Sequence, residues 1–89
     1  MKTTFRKSFV KDLGRHAMDK DILAKVKEII LQVEAADSVT AIVNLKKLKA
    51  EGSYYRIRIG HFRVGLIIED DTVTFVRVLH RKEIYRYFP

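Results

Sequence analysis

The sequence predicts an α+β fold in which two N-terminal helices pack on a twisted antiparallel sheet, in the order β-α-α-β-β-β with a short C-terminal helix. Three observations carry this. Ile22, Val26, Ile29, Ile30 and Val33 recur at helical spacing, as the buried stripe of an amphipathic helix does. The stretch YYRIRIGHFRVG, residues 54–65, alternates about Gly60-His61 as a hairpin does. Asp70-Asp71 then turns its second arm into TVTFVRVLH, a β-branched run suited to a strand. Helices gathered on one face of such a sheet form a two-layer α+β unit, and residues 1–89 provide for one domain of that kind.

Taken in order, KTTFR (residues 2–6) supplies a short first strand. Ser8 is placed to N-cap a short helix presenting Phe9, Val10 and Leu13 on one side, with Gly14 ending it. The long helix starts at Asp19 or Asp21 and runs to Ala36, with Lys25, Lys27, Glu28 and Gln32 on its outer faces. DSVTAIVN reads as a connection, and LKKLK as a short strand ended by AEG. In the hairpin, glycine at the first central position favours a type II′ turn. Ile59 then lies opposite Phe62, Arg58 opposite Arg63 and Ile57 opposite Val64. Because side chains alternate along a strand, Tyr55, Ile57, Ile59, Phe62 and Val64 share the face that the long helix covers. Arg56, Arg58 and Arg63 share the other. Like charges set directly opposite each other destabilise a sheet, so the arginine face is expected to be open and to serve an anionic partner.

An unbroken register in the next pair sets Ile68 opposite Val73, Leu66 opposite Phe75 and Arg63 opposite Val78. His80 then joins the arginine face beside His61, and Arg77 turns towards the core. Arg77 must either snorkel out at a sheet edge or be relieved by a bulge that shifts the register. RKEIYRYFP spaces Ile84, Tyr85 and Phe88 for one or two helical turns.

Composition bounds the function. A 47% hydrophobic content with one proline belongs to a folded chain. No apolar run approaches the about 18 residues of a membrane span. MKTTFRKSF lacks an apolar signal core, so a cytoplasmic location is expected. The lack of cysteine excludes disulfides, thiolate metal sites and a cysteine nucleophile. There is no glycine-rich phosphate loop, nucleophile elbow or HExxH helix. His16, His61 and His80 are too widely spaced for a local metal motif, so no metal or other cofactor is expected. Glu69, Asp70 and Asp71 read as a turn tip rather than a carboxylate pair for hydrolysis. Eighteen Lys and Arg against 11 Asp and Glu give a formal charge of +7, a field that attracts polyanions. Nucleic acid is the first partner class and an acidic protein the second. Membrane headgroups come third, because the basic residues do not line one face of a strongly amphipathic helix.

The remaining constellation is Arg56, Arg58, Arg63, His80, Arg81 and Lys82, with Tyr85 and Tyr87 nearby. Arginine suits planar, bidentate phosphate contact, and aromatic rings among cations suit unstacked bases of single-stranded RNA. Such a set supports RNA transesterification, in which the 2′-hydroxyl attacks the adjacent phosphate, a base takes its proton and an acid protonates the leaving 5′-oxygen. Arginines would stabilise the phosphoryl charge, and a histidine can move the proton. Lys46, Lys47 and Lys49 form a basic edge beside it.

The pattern LKKLKAEGSYYRIRIGHFRVGLIIEDDTVTFVRVLHRKEIYRYF resembles the RelE/ParE superfamily of toxins from type II toxin–antitoxin systems. KLK, YRIRIG, FRV and a terminal HRKEIY carry the likeness. It implies a RelE-like, microbial-ribonuclease-like fold and two activities by branch. RelE-type members cut mRNA in the ribosomal A site, leaving a 2′,3′-cyclic phosphate; ParE-type members poison DNA gyrase. Retention of the basic set favours the RelE branch. The resemblance implies catalytic roles for Arg58 as acid or phosphate ligand, for Arg63 and Arg81 at the phosphoryl group, and for Tyr85 in orienting the nucleotide. Lys47, Lys49, Arg56, Lys82 and Tyr87 complete the expected RNA-binding set. Where some members carry lysine this chain has Arg56 and Arg58, and arginine is a poor proton donor. The acid–base role therefore shifts to His80, with Glu83. Implied partners are mRNA on the ribosome and a cognate antitoxin, through which alone operator DNA would be met; no membrane is expected.

Overall fold

The computed structural model describes residues 1–48 and 52–89; Lys49, one of the expected RNA contacts, lies outside the described residues. Strand β1 (Lys2–Phe5) leads into helices α1 (Lys7–Arg15) and α2 (Lys20–Ala35), and a 3-10 turn (Val39–Ala41) follows. Strands β2 (Leu45–Lys47), β3 (Tyr54–Ile59), β4 (Phe62–Glu69) and β5 (Thr72–His80) come next, then helix α3 (Ile84–Tyr87). The strands form one sheet in the order β1-β5-β4-β3-β2.

The fold class is the expected α+β arrangement, but the sheet is mixed rather than wholly antiparallel. Strands β2 to β5 alternate in direction, whereas β1 pairs parallel with β5, Lys2 opposite Thr72 through Phe5 opposite Phe75. The chain follows the outer edge of β5 and keeps its backbone satisfied along the way. The Arg6 N–H donates to the Phe75 carbonyl, the Ser8 hydroxyl to the Val76 carbonyl, and the Val78 N–H to the Asp12 carboxylate. Unpaired edge groups require such partners. Ser8 is therefore a contact inside α1 and not its cap, which is Arg6. Asp12, and not Val10, shares the buried side of α1 with Phe9. Lys7, Lys11 and Arg15 line the exposed side at intervals of one turn, so a basic helix face does exist, on a helix whose other side is packed on β5.

Helix α2 begins where its capping chemistry predicts, with the Asp19 carboxylate accepting from the Ile22 N–H at 3.1 Å. Ile22, Val26 and Val33 are buried against Ile57, Val64, Leu66 and Phe75 in the main core. The first hairpin has the expected register, including Arg58 opposite Arg63. Gly60 carries φ 61°, the left-handed conformation that a type II′ turn needs at its first central position and that glycine adopts without strain.

The second hairpin departs from an unbroken register. Leu66 pairs with Phe75 but Gly65 pairs with Arg77, so Val76 is the extra residue of a bulge. Every side chain beyond it changes face. Arg77 leaves the core side, and its guanidinium reaches the edge of β5 to meet Asp12 at 2.7 Å; the bulge and the edge position act together. His80 moves as well. It lies opposite Phe62 on the helix-covered face, 5.7 Å between ring centres, instead of among the arginines.

Nor is the arginine face fully open. Leu79, Ile84 and Phe88 form a second apolar cluster with Leu48, Tyr54 and Val76. The Phe88 ring occupies the space above Gly65, where a Cβ would approach it to 2.6 Å. Glycine within a strand marks this close approach.

Candidate active site on the arginine face

Pairing across strands decides which cations meet. Arg58 and Arg63 are opposite one another, and Arg56 is opposite Gly65 and Lys46. Directly opposed residues share a face, so Lys46 joins the arginines while Lys47, opposite Tyr55, belongs to the helix-covered side. Arg58 is exposed and borders a groove that α2 lines with Lys25, Glu28 and Gln32. Arg56 is half-buried; one of its nitrogens donates to the Asn44 carbonyl at 3.3 Å, and its Nε has no partner.

Arg63 is the centre of the set. Its Nη1 donates to the carbonyls of Gly60 and Phe62, both at 2.9 Å, which folds the guanidinium back on the turn. Its pKa lies below the ordinary arginine value. Desolvation is the first cause, and the charges of Arg56, Arg58 and Arg81 add to it while Tyr85 acts the other way. These causes place Arg56, Arg58, Arg81 and Tyr85 within electrostatic reach of one guanidinium. Among the described residues the one ion pair is Arg77 with Asp12, so the cluster has no internal counter-ion there. Guanidiniums gathered without a carboxylate partner are suited to binding anions through several charge-assisted hydrogen bonds.

The segment after β5 completes the rim. The Arg81 N–H donates to the His61 carbonyl at 2.7 Å, which ties the Gly60-His61 turn to the end of β5. Arg81, Lys82, Glu83 and Tyr85 are all exposed. Tyr87 stands apart from Tyr85, because the Arg77 guanidinium lies over its ring at 5.3 Å. The Arg77 pKa is raised, first by its hydrogen bond to Asp12 and then by the Asp12 charge, with burial opposing and Tyr87 assisting. Tyr85 is thus the tyrosine on the arginine cluster, and Tyr87 belongs to the Asp12–Arg77 edge.

All three histidines gather at one end of the sheet, which their spacing in sequence conceals. His16 packs edge-on to Phe62 at 4.8 Å, Phe62 to His80 at 5.7 Å, and His80 stacks on His61 at 6.2 Å. His80 is half-buried, and its Nδ1 accepts from the Lys82 N–H at 3.2 Å.

The domain is α+β, with a cluster of arginines that lack a carboxylate partner among the described residues and an exposed tyrosine beside them, a surface whose chemistry suits an anionic partner. Comparison with known proteins gives its family. A model described as the ParE toxin of the type II toxin–antitoxin system parDE matches residues 4–85. Toxin RelE3 of Methanocaldococcus jannaschii is 44% identical over 90 residues, covering 100% of both chains. Of solved structures, a chain of the RelB–RelE antitoxin–toxin complex from Methanococcus jannaschii matches with a TM-score of 0.80 and 42% identity, over 97% of this chain and 99% of that one. A chain of the RelBE2 toxin–antitoxin complex from Mycobacterium tuberculosis matches with a TM-score of 0.69 and 28% identity, over 90% and 96%. The chain belongs to the RelE/ParE family of type II toxin–antitoxin toxins.

Proposed function

We propose that this toxin is a ribosome-dependent mRNA endonuclease whose substrate phosphate sits among Arg58, Arg63 and Arg81. The observation that carries this reading is the gathering of arginines at one turn: Arg58 lies opposite Arg63, the Arg63 guanidinium is held by the Gly60 and Phe62 carbonyls, and the Arg81 N–H bonds the His61 carbonyl between them. In transesterification the RNA supplies its own nucleophile. The protein's tasks are then to align the 2′-hydroxyl with the phosphate, to neutralise the charge gathering on the phosphoryl oxygens, and to manage two protons. Arg63, held by the Gly60 and Phe62 carbonyls, is pre-oriented for the second task. Tyr85, exposed beside this cluster, would stack on a base next to the phosphate.

The same surface fits an antitoxin. An acidic, extended segment laid over Arg56, Arg58 and Arg63 would neutralise the repulsion in the hairpin and exclude RNA. Solved relatives in RelB–RelE and RelBE2 complexes support a cognate antitoxin as partner.

The test is induction of wild type and of Arg81→Ala in cells, with mapping of transcript 5′ ends. The expected result is new ends within coding sequence for wild type, lost in Arg81→Ala. An mRNA carrying one 2′-deoxynucleotide at the cleaved position should stay intact at that position. Toxicity with unaltered transcript ends would overturn the endonuclease reading. The family model named for ParE favours one second reading, gyrase poisoning, which predicts a DNA-damage response that survives Arg81→Ala.

A further inference from the structure

We propose that the general base is His61 and that His80 is a positioning residue behind it, an assignment that rests on the endonuclease reading above. The Lys82 N–H points at the Nδ1 of His80, so that nitrogen presents its lone pair to the backbone. A neutral imidazole has one N–H and one lone pair. With the lone pair engaged at Nδ1, the proton of His80 resides on Nε2, which leaves a donor and no vacant acceptor. Accepting a proton would break the bond from Lys82. His80 therefore acts through its neighbour: its bond from the Lys82 N–H fixes the ring against which His61 stacks.

His61 is the other histidine of the stacked pair, with ring centres 6.2 Å apart and planes within 17°. It is exposed at the turn tip, and its ring nitrogens bond to nothing among the described residues. Its backbone is nonetheless fixed. The Arg81 N–H bonds its carbonyl, and the carbonyls on either side, of Gly60 and Phe62, hold the Arg63 guanidinium. The phosphate clamp and a free imidazole thus sit on one rigid turn. Charged groups around the pair come from each neighbouring element: Lys25 and Glu28 of α2, His16 of α1 beyond Phe62, Arg58 of β3, Arg63 of β4, and Arg81, Lys82 and Glu83 after β5. All but Glu28 and Glu83 are basic, so a phosphate is drawn to this rim, and neither carboxylate bonds His61.

In the step assigned, the 2′-O–H bond breaks and its proton passes to the vacant nitrogen of His61. The 2′-oxygen forms a bond to phosphorus, and the bond from phosphorus to the 5′-oxygen breaks. Water protonates the departing 5′-oxygen, and His61 returns its proton to solvent. The products are a 2′,3′-cyclic phosphate and a 5′-hydroxyl.

The experiment is single-turnover cleavage of mRNA on programmed ribosomes by the full chain, measured from about pH 5 to about pH 8, the interval in which histidine changes charge. Wild type should show a rate rising with pH through that interval. His61→Ala should fall about 10²–10⁴-fold, the usual share of a general base, lose the rising limb and regain rate with added imidazole. His61→Gln should behave likewise without imidazole rescue. His80→Asn, which keeps an acceptor for the Lys82 N–H but loses the ring that stacks on His61, should slow the reaction yet retain the limb. Misfolding scales every rate alike and leaves the slope in place, so the slope is diagnostic. A limb that survives in His61→Ala, or disappears in His80→Asn, overturns the assignment while the endonuclease stands. Absence of cleavage by wild type overturns the endonuclease reading itself.

Discussion

Replacing Asp12 by alanine tests the link between α1 and the sheet edge that carries the site. Asp12 is 1% exposed. Its carboxylate accepts from Arg77 Nε at 2.7 Å, from Arg77 Nη2 at 3.0 Å and from the Val78 N–H at 3.0 Å. Asp12→Ala leaves an arginine side chain only 19% exposed without its anion, and a buried amide without an acceptor. Breaking a buried ion pair from one side costs about 3–5 kcal/mol. The residual exposure of Arg77 sets the expectation near the lower end, about 3 kcal/mol. For a domain of this size each kcal/mol lowers Tm by about 4–8 °C, so the midpoint should fall by at least about 12 °C. Urea unfolding followed by far-ultraviolet circular dichroism measures the first quantity, and a thermal scan the second. Most of that loss comes from the stranded guanidinium. Adding Arg77→Met, which keeps the stem packing and removes the charge, should therefore restore part of the stability lost in Asp12→Ala. A loss below about 1 kcal/mol, the range of exposed pairs, would refute the reasoning. So would a double variant less stable than Asp12→Ala alone.

The other expectations concern the two apolar clusters and the arginines. Gly65→Ala should drive Phe88 off the sheet and destabilise by about 1–3 kcal/mol, as overpacking does; Phe88→Val in the same chain should recover part of it in urea unfolding. Phe75→Ala removes the ring that meets Phe5 at 5.3 Å and Phe9 at 5.4 Å, and should lose about 3–5 kcal/mol by the same measurement. Arg58→Ala should leave stability unchanged or raise it by up to about 1 kcal/mol, since it removes a like charge from a cross-strand pair. In RNA-binding titrations at several salt concentrations, the same variant should reduce the slope of log affinity against log salt by about one.

Much of this architecture was legible because local rules and tertiary demands agree. Helix α2 joins a capping aspartate to an unbroken apolar stripe, and the first hairpin combines strict alternation with a glycine at the one position needing positive φ. Where they diverge, the sequence is silent or misleading. Alternation says which face a residue takes but not which strand lies beside it, so the parallel pairing of β1 was out of reach. Ser8 looks like a helix cap because its hydroxyl is suited to bonding a free backbone group, but it bonds the Val76 carbonyl of a strand far along the chain. Asp12 carried a usable signal: it falls on the same side of α1 as Phe9 and Leu13, and an acid on an apolar stripe requires a buried partner. Gly65 carried another, since a glycine among β-branched residues announces a close neighbour. Lys46 and Lys47 differ only in which faces Arg56, and that depends on the β2 register.

The bulge at Val76 is the decisive feature that sequence alone left open, because valine fits a strand equally well as a ladder residue or as the extra one. Its effect is to separate two kinds of chemistry. Without it, Arg77 would enter the core beneath the helices and His80 would stand among Arg56, Arg58 and Arg63. With it, Arg77 is free to bind Asp12, Leu79 turns to the arginine face to support Ile84 and Phe88, and His80 is withdrawn behind the rim. That withdrawal brings the Lys82 N–H onto Nδ1 and leaves the exposed His61 imidazole on the turn whose carbonyls hold Arg63. The like-charged pair Arg58 and Arg63, unfavourable for a sheet considered by itself, is then held by a core on one face and by Phe88 on the other. The hairpin can thus present its repulsion to a polyanion instead of relieving it by unfolding.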